Sequence, residues 1–369
     1  MADWSYGVND AATVKLWSTR LFKQSITKTI AWRLANISSS ISSEENICQI
    51  LDDTQKGPGD NITYDLIAKL TGAGVQGDNT LAGQEEALTT YTASITIDQL
   101  RNAVLVRGAM SQQRVPVNMR DTARVRLGDW WQERHDLSLI NQLTGNTNQA
   151  DTRFTGNNAT VAPDTNHVVY SGNATSEATL DSADTMAVGD IDRIVYIAQT
   201  SEYPIKPIQM KGMQINGVLI IHPLQTLSLR TNYSAGQWGD IQLAAMKGGQ
   251  ITGNPVFTGA IGMYSGVVIH EDARIPYGDE AGTGNDVVGK PHPNLLGVAN
   301  VARGVFCGAQ AASLAFGRAY NTLTKIKWFE ELLDGGNQLR VTAGQIFAMK
   351  KNRFNSQDFA TITLSSWGA

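Results

Sequence analysis

The chain has 369 residues, a net charge of −4 and only 17% charged residues, against roughly 25% in an average globular protein. Its length allows about two domains around a large core, and its acidic balance argues against a general nucleic-acid binder. With Cys48 and Cys307 as the only cysteines, a disulfide framework is excluded and two reduced, unpaired thiols are expected.

The opening MADWSYGVND carries two acids and no apolar core, so no signal peptide is read. The longest aliphatic run, Val218 to Ile221, is far too short to cross a bilayer. A soluble intracellular product without a membrane partner is expected. Residues 11–43 carry Lys15, Arg20, Lys23, Lys28 and Arg33 and no acid. Val14, Trp17 and Leu21, then Ile26, Ile30, Leu34 and Ile37, follow helical spacing. A helix docking on protein is preferred to a membrane or nucleic-acid arm, and its basic residues are expected to be largely covered. SSSISS at 38–43 ends it as a hinge.

A hairpin follows. Ile62, Tyr64, Leu66, Ala68 and Leu70 alternate with mostly polar residues, as do Tyr91, Ala93, Ile95 and Ile97. The intervening GAGVQGDNTLAGQEEAL is far longer than a tight turn, and loops of that length are usually functional. Gly72, Gly74 and Gly77 spell GxGxxG, with Asp98 about 20 residues on. A dinucleotide site needs a helix opening at the last glycine, and DNTLAGQEE has no helical periodicity, so no cofactor is expected.

Arg114 to Gly145 reads as one long helix, roughly 40 Å in length. Pro116 cannot extend it backwards, Asn118 is a favoured N-cap, Asp121 places an acid in the first turn, and Gly145 is the stop. Met119, Ala123, Leu127, Trp130, Leu137 and Ile140 form its expected core stripe. Arg114, Arg120, Arg124, Arg126 and Arg134 make it basic. The Asn/Thr/Gly-rich tract 146–183 is expected as a surface excursion. Helices are expected at 184–201, 224–230 and 241–247, and strands in GVLIIHP and GMYSGVVIHEDARIP. Residues 276–294 read as a loop, and 295–369 as mostly strand. The fold class is α+β.

No residue set demands a reaction. His135, His167, His222, His270 and His292 lack paired spacing or a cysteine neighbour, so no metal site is read. His270, Glu271 and Asp272 are adjacent, which points their side chains apart along a strand. His222 ends an apolar strand, where His-Pro is equally a plain terminator, and Ser265 in GMYSG lacks the first glycine of a nucleophile elbow.

The order of parts resembles the Hong Kong 97-like fold of tailed-phage major capsid proteins, and more narrowly the N-four-type capsid family. The matching stretches are LAGQEEALTTYTASITIDQLR, RVPVNMRDTARVRLGDWW, VLIIHPLQTLSLRT, WGDIQLAAMKGGQITGNPVFTGAIGMYSGVVIHEDARIP and IFAMKKNRF. The resemblance implies an N-terminal arm and linker at 1–59, an extended hairpin loop at 60–108, and a peripheral domain at 109–183 with a spine helix at 117–145. It further implies an axial domain at 184–316, with 317–369 returning to the peripheral domain. It also implies a structural protein, not an enzyme, that assembles with itself. Hexamers and pentamers would form an icosahedral shell around packaged double-stranded DNA, built in the host bacterial cytoplasm. Portal, scaffold and decoration proteins are further candidate partners, and a cellular encapsulin-like compartment shell is the alternative. No charged helical segment precedes the arm, so a separate scaffold or none is expected, and no motif identifies residues for a covalent cross-link. In that fold the extended loop lies across an adjacent subunit, so Asp78, Glu85 and Glu86 are expected near Arg114, Arg120, Arg124 and Arg126 of a neighbour. The specific expectation sets Glu85 and Glu86 against Arg120 or Arg124.

Overall fold

The computed structural model describes residues 21–35, 45–51, 59–106, 108–114, 118–149, 151–201, 203–210, 213–231, 260–278, 296, 298, 300–317 and 325–368. The expected hinge at 38–43, the helix at 241–247 and Lys15 and Arg20 lie outside these residues. A spine helix, Met119–Thr144, organises the remainder. Asn118 caps it, its side chain accepting the Arg120 and Asp121 amides at 3.1 and 3.4 Å. Gly145 ends it at φ 63°. A Cβ there would lie 2.8 Å from the Val161 carbonyl oxygen, so both backbone and space demand glycine.

Of the six expected core positions, Ala123, Leu127, Leu137 and Ile140 are buried, whereas Met119 and Trp130 are only half-buried. Trp131, not Trp130, is the fully buried tryptophan, because it continues the 123–127 row at i+4. Trp130 stands edge-on to it, with ring centroids 5.1 Å apart. Met119 belongs to the same row but lies in the first turn, between exposed Asn118 and half-buried Arg120. From His135 to Asn146 every position is buried, so a one-sided stripe describes only the N-terminal half. The tract after the helix explains this, because its start packs against the helix end, although most of 146–183 is exposed or half-buried as a surface excursion would be. Buried Gln142 donates to the Thr155 and Asn158 carbonyls at 3.2 and 2.7 Å, and Asn141 donates to the Phe154 carbonyl at 3.1 Å. The tract is polar because its side chains and backbone satisfy one another around the helix end.

Two sheets flank this axis. In the five-stranded one, Gln338–Lys351 is the longest strand. It pairs antiparallel with Asp98–Val106 on one side and with Lys327–Leu333 and Ala312–Phe316 on the other. Cys48–Leu51 adds in parallel to Ala312–Phe316. The six-stranded sheet runs Val168–Tyr170, Thr361–Trp367, Val301–Cys307, Gly217–Ile221, Val267–Glu271 and Ala260–Tyr264. Its central strands Gly217–Ile221 and Val301–Cys307 are buried at every position, as continuous apolar runs require. Sheet pairing divides the chain differently from the expected boundaries. Residues 312–316 join the five-stranded sheet, while 361–367 and 168–170 join the six-stranded one. One hydrophobic cluster includes residues of both sheets, the spine helix and the arm. Cys48 and Cys307 are buried free thiols within it, and burial pushes Cys48 up to about 12.

The arm docks as expected. Leu21, Ile30, Ala31 and Leu34 are buried in the shared core, but Lys23 and Lys28 are exposed in the subunit, not covered as expected. Three charged contacts then tether the spine helix along its length. Near its start, Arg120 Nε donates to Glu330 Oε1 at 2.7 Å, which also accepts the Trp328 indole N–H at 2.7 Å. In its middle, the fully buried Asp136 carboxylate accepts the Ile30 amide of the arm at 2.6 Å and pairs with Arg274. Arg274 in turn pairs with Asp272 at 2.8 Å. At its end, Arg303 donates to the Thr144 and Gly145 carbonyls and grips Glu177, whose carboxylate also accepts Ser365 Oγ–H at 2.6 Å. A cation at a helix C-terminus suits its dipole.

Burial pushes the His135 imidazole down to about 4, although Gln345 Oε1 lies 2.8 Å from its Nε2. Burial pushes its neighbour Asp136 up to about 6 against the pull of Arg274. The two act oppositely. The unfolded chain binds a proton at His135 below its ordinary pKa and the folded chain resists until about pH 4, so this residue loses stability as pH falls from about 6.5 to 4. Asp136 loses stability as pH rises through the overlapping window, so the wild-type slope is partly cancelled. Denaturant melts of wild type and His135→Gln should therefore show a stability difference that shifts by up to roughly 3 kcal/mol between pH 7 and pH 4. Equal slopes would refute it. Leu127→Asp places an unpaired charge in the core and should cost several kcal/mol, read as aggregation or loss of the cooperative melt.

Candidate assembly surface

The hairpin pairs Asn61–Ile67 with Thr90–Thr96, in the register Ile62↔Ile95, Tyr64↔Ala93 and Leu66↔Tyr91. Its root is fixed to the body. Ile62 and Ile95 form a small core with Ala315 and Ala348 of the five-stranded sheet. Tyr64 Oη donates to Asn352 Oδ1 at 2.8 Å, and Lys350 Nζ donates to the Ser94 carbonyl at 2.6 Å. At the bend into Asp98–Val106, Asn157 and Asn158 donate to the Thr96 carbonyl at 2.5 and 3.0 Å. Beside the root, Leu66, Tyr91, His167, Tyr203, Phe354 and Phe359 border a cleft of about 180 Å³.

Beyond the root, burial disappears. From 69 to 90 every residue except Val75 is exposed. Leu70, Leu81 and Leu88 are 58–60% exposed. Such an extension has no core of its own, and its apolar side chains stand in solvent. It is nevertheless shaped. The Glu86 carboxylate accepts the Thr71 and Gly72 amides at 2.7 and 2.6 Å, which holds its pKa below the usual carboxylate value. Glu85 accepts the Gly83 amide at 2.7 Å. No helix follows Gly77, so GxGxxG here is turn chemistry with Gly74 and Gly77 at positive φ.

The structure does not bring the seven expected contact residues together within one subunit, and it engages two of them locally. Glu86 closes the base of its own loop, and Arg120 pairs with Glu330 of its own five-stranded sheet. Asp78, Glu85, Arg114 and Arg126 are exposed, Arg126 lying 3.6 Å from Asp129, and Arg124 is half-buried. Sequence reasoning missed Glu330, although WFEELL carried a signal: alternation puts Glu330 on the same buried side as Trp328. It also missed Asp136, Arg274, Arg303 and Glu177, whose partners lie more than a hundred residues away. The other candidates have structural roles: His222 stacks on Tyr277 at 5.2 Å, and Asp272 holds Arg274. Among the described residues there is no metal-type cluster of His, Cys, Asp and Glu, and no helix is long and apolar enough to cross a membrane.

The phage capsid protein family matches residues 5–368. The major capsid protein of Pseudomonas phage KPP25 is 28% identical over 96% of this chain and 95% of its own length. Among solved structures, the capsid of Ralstonia phage GP4 is 31% identical, with TM-score 0.73 over 89% of each chain. The cyanophage Pam1 capsid, 19% identical, has the same fold, with TM-score 0.68 over 100% of this chain and 96% of that one.

Glu86→Ala should leave the melt unchanged and speed amide hydrogen exchange at Thr71 and Gly72. Unaltered exchange there would mean that the carboxylate does not shape the loop.

Proposed function

The chain belongs to the phage capsid protein family, and from that premise we propose that it tiles an icosahedral shell as hexamers and pentamers around packaged double-stranded DNA. It is a major capsid protein with a Hong Kong 97-like fold, a structural subunit of the virion capsid. The match along nearly the whole chain carries this reading. The encapsulin-like alternative is not favoured, because the relatives are phage capsid proteins. Contact with other copies is the function, and no catalytic role is proposed. Assembly would take place in the host cytoplasm, with portal, scaffold or decoration proteins as further partners.

The spine helix with the five-stranded sheet would form the peripheral domain and the six-stranded sheet the axial one. This amends the boundaries at 316 and 317 by sheet membership. A hairpin that is anchored at its root and bare beyond it supports a reach to an adjacent subunit. One extension per subunit, laid on a different patch of the next, is a heterologous contact and closes rings.

Electron microscopy of the purified protein tests the reading by showing closed particles or capsomers, against small isolated subunits. Replacing Gly72–Gly83 by a tight turn should keep the circular dichroism of the subunit and abolish stable particles. Normal particles, or loss of the fold, would refute the assigned role of the loop.

A further inference from the structure

We propose that the cleft beside the hairpin root is a binding site for one neutral pyranose ring, such as the terminal sugar of a glycan. It goes beyond the capsid reading and does not depend on it.

Separate parts of the chain build the cleft. Leu66 and Tyr91 form a wall from the hairpin, and the end of helix Val188–Thr200 with Ser201 and Tyr203 forms a second. The third is a small hairpin, Arg353–Phe354 against Gln357–Asp358, with His167 beside it. Its turn puts Asn355 and Ser356 side by side at φ 50° and 61°, a left-handed pair without glycine that only surrounding constraint sustains. The constraint is a set of charged contacts at its base. Arg353 donates to the Ser356 carbonyl at 2.5 Å, and buried Lys351 pairs with buried Asp358 at 2.9 Å. Asp358 also lies 2.9 Å from Arg353 Nε, and its amide donates to Asp164 at 2.6 Å. Phe354 stands edge-on to Phe359 and to Tyr64, with ring centroids 5.3 and 5.9 Å apart. The walls are therefore set before a ligand arrives, which lowers the ordering cost of binding.

The polar groups select the ligand. Apolar clefts with a few convergent polar groups are the usual seats of small molecules. An anion is disfavoured here, because Lys351 and Arg353 are committed to Asp358 and Asp164 adds a second carboxylate. An acyl chain asks for an unbroken apolar wall, whereas Asn166, Asn355 and Gln357 interrupt this one. Aromatic faces beside carboxamides fit a pyranose, whose C–H face packs on rings while its hydroxyls both donate and accept. His167 Nδ1 donates to Asp164 at 2.8 Å, so Nε2 is left as the acceptor of this cleft-lining ring. Thr200 and Ser201 donate their hydroxyl protons to the Tyr196 and Tyr203 carbonyls and offer lone pairs. The cleft, at about 180 Å³, has room for one six-membered ring, since an engineered cavity of roughly 150 Å³ holds benzene.

Saturation-transfer NMR on the purified full-length chain tests this with the methyl glycosides of glucose, galactose, mannose and N-acetylglucosamine. At least one should bind saturably, with a Kd on the order of 1–10 mM for a single sugar in an open cleft. Thr200→Trp, at an exposed helix end, fills the mouth and should abolish the signal with the melt unchanged. Gln357→Ala should weaken binding by roughly tenfold, through loss of one good hydrogen bond. Saturable binding of none of the four overturns the inference, as does binding that survives Thr200→Trp. Binding of p-cresol in place of every sugar overturns the ligand class. Should Thr200→Trp not fold, unchanged affinity in Gln357→Ala decides against the site. Particle formation bears on none of these outcomes.

Discussion

Asp136 is the constraint on which the rest of the subunit depends. Its carboxylate is fully buried in the middle of the spine helix and has two partners from distant parts of the chain, the Ile30 amide and the Arg274 guanidinium. An ionised carboxylate in such a place is tolerated only with its oxygens satisfied, and removing one partner of a buried pair typically costs about 3–5 kcal/mol. The arm, the spine helix and the turn after Val267–Glu271 must therefore take up their places together. Arg120 with Glu330, and Arg303 with Glu177, repeat this arrangement at the two ends of the helix. Hydrophobic burial supplies the bulk of the stability, and the three ion pairs select one seating of the helix among many greasy alternatives.

That distribution of charge explains the composition. A chain with 17% charged residues places several of its ion pairs inside the subunit, where they fix geometry. Its bare extension then presents leucines and carboxylates to something outside. Such an extension costs solubility in a subunit that stays alone.

Local signals were legible and distant ones were not. Asn118, Asp121 and Gly145 marked the spine helix because caps act within one turn, and the observed helix begins and ends at these residues. Alternation at Ile62 to Leu66 and Tyr91 to Ile95 marked the two strands of the hairpin. The stripe was misassigned at Trp130, because Trp131 continues the Ala123–Leu127 row at i+4, and after His135 a helix enclosed on every side has no stripe to read. Periodicity missed the start of the Asn-rich tract, where Asn141 and Gln142 of the helix donate to the Phe154, Thr155 and Asn158 carbonyls, a pairing that hydropathy does not read. Sheet membership was not legible, because strand order follows long-range pairing: Thr361–Trp367 lies between Val168–Tyr170 and Val301–Cys307. The long acidic loop was legible, whereas the pairing of Arg120, its expected receiver, with Glu330 of the same subunit depends on tertiary packing.

The continuation of the hairpin into Asp98–Val106 has a mechanical consequence. Thr90–Thr96 passes through Ile97 directly into a strand that pairs along nine residues with Gln338–Lys351. A pull that enters at Asp98 along the strand's own direction loads that ladder in shear, its hydrogen bonds resisting together instead of opening one at a time. Side-on to the same ladder they would unzip in sequence under far less force. Whatever holds the extension therefore draws on the five-stranded sheet as a whole, and the thinnest-looking part of the subunit is its tie rod.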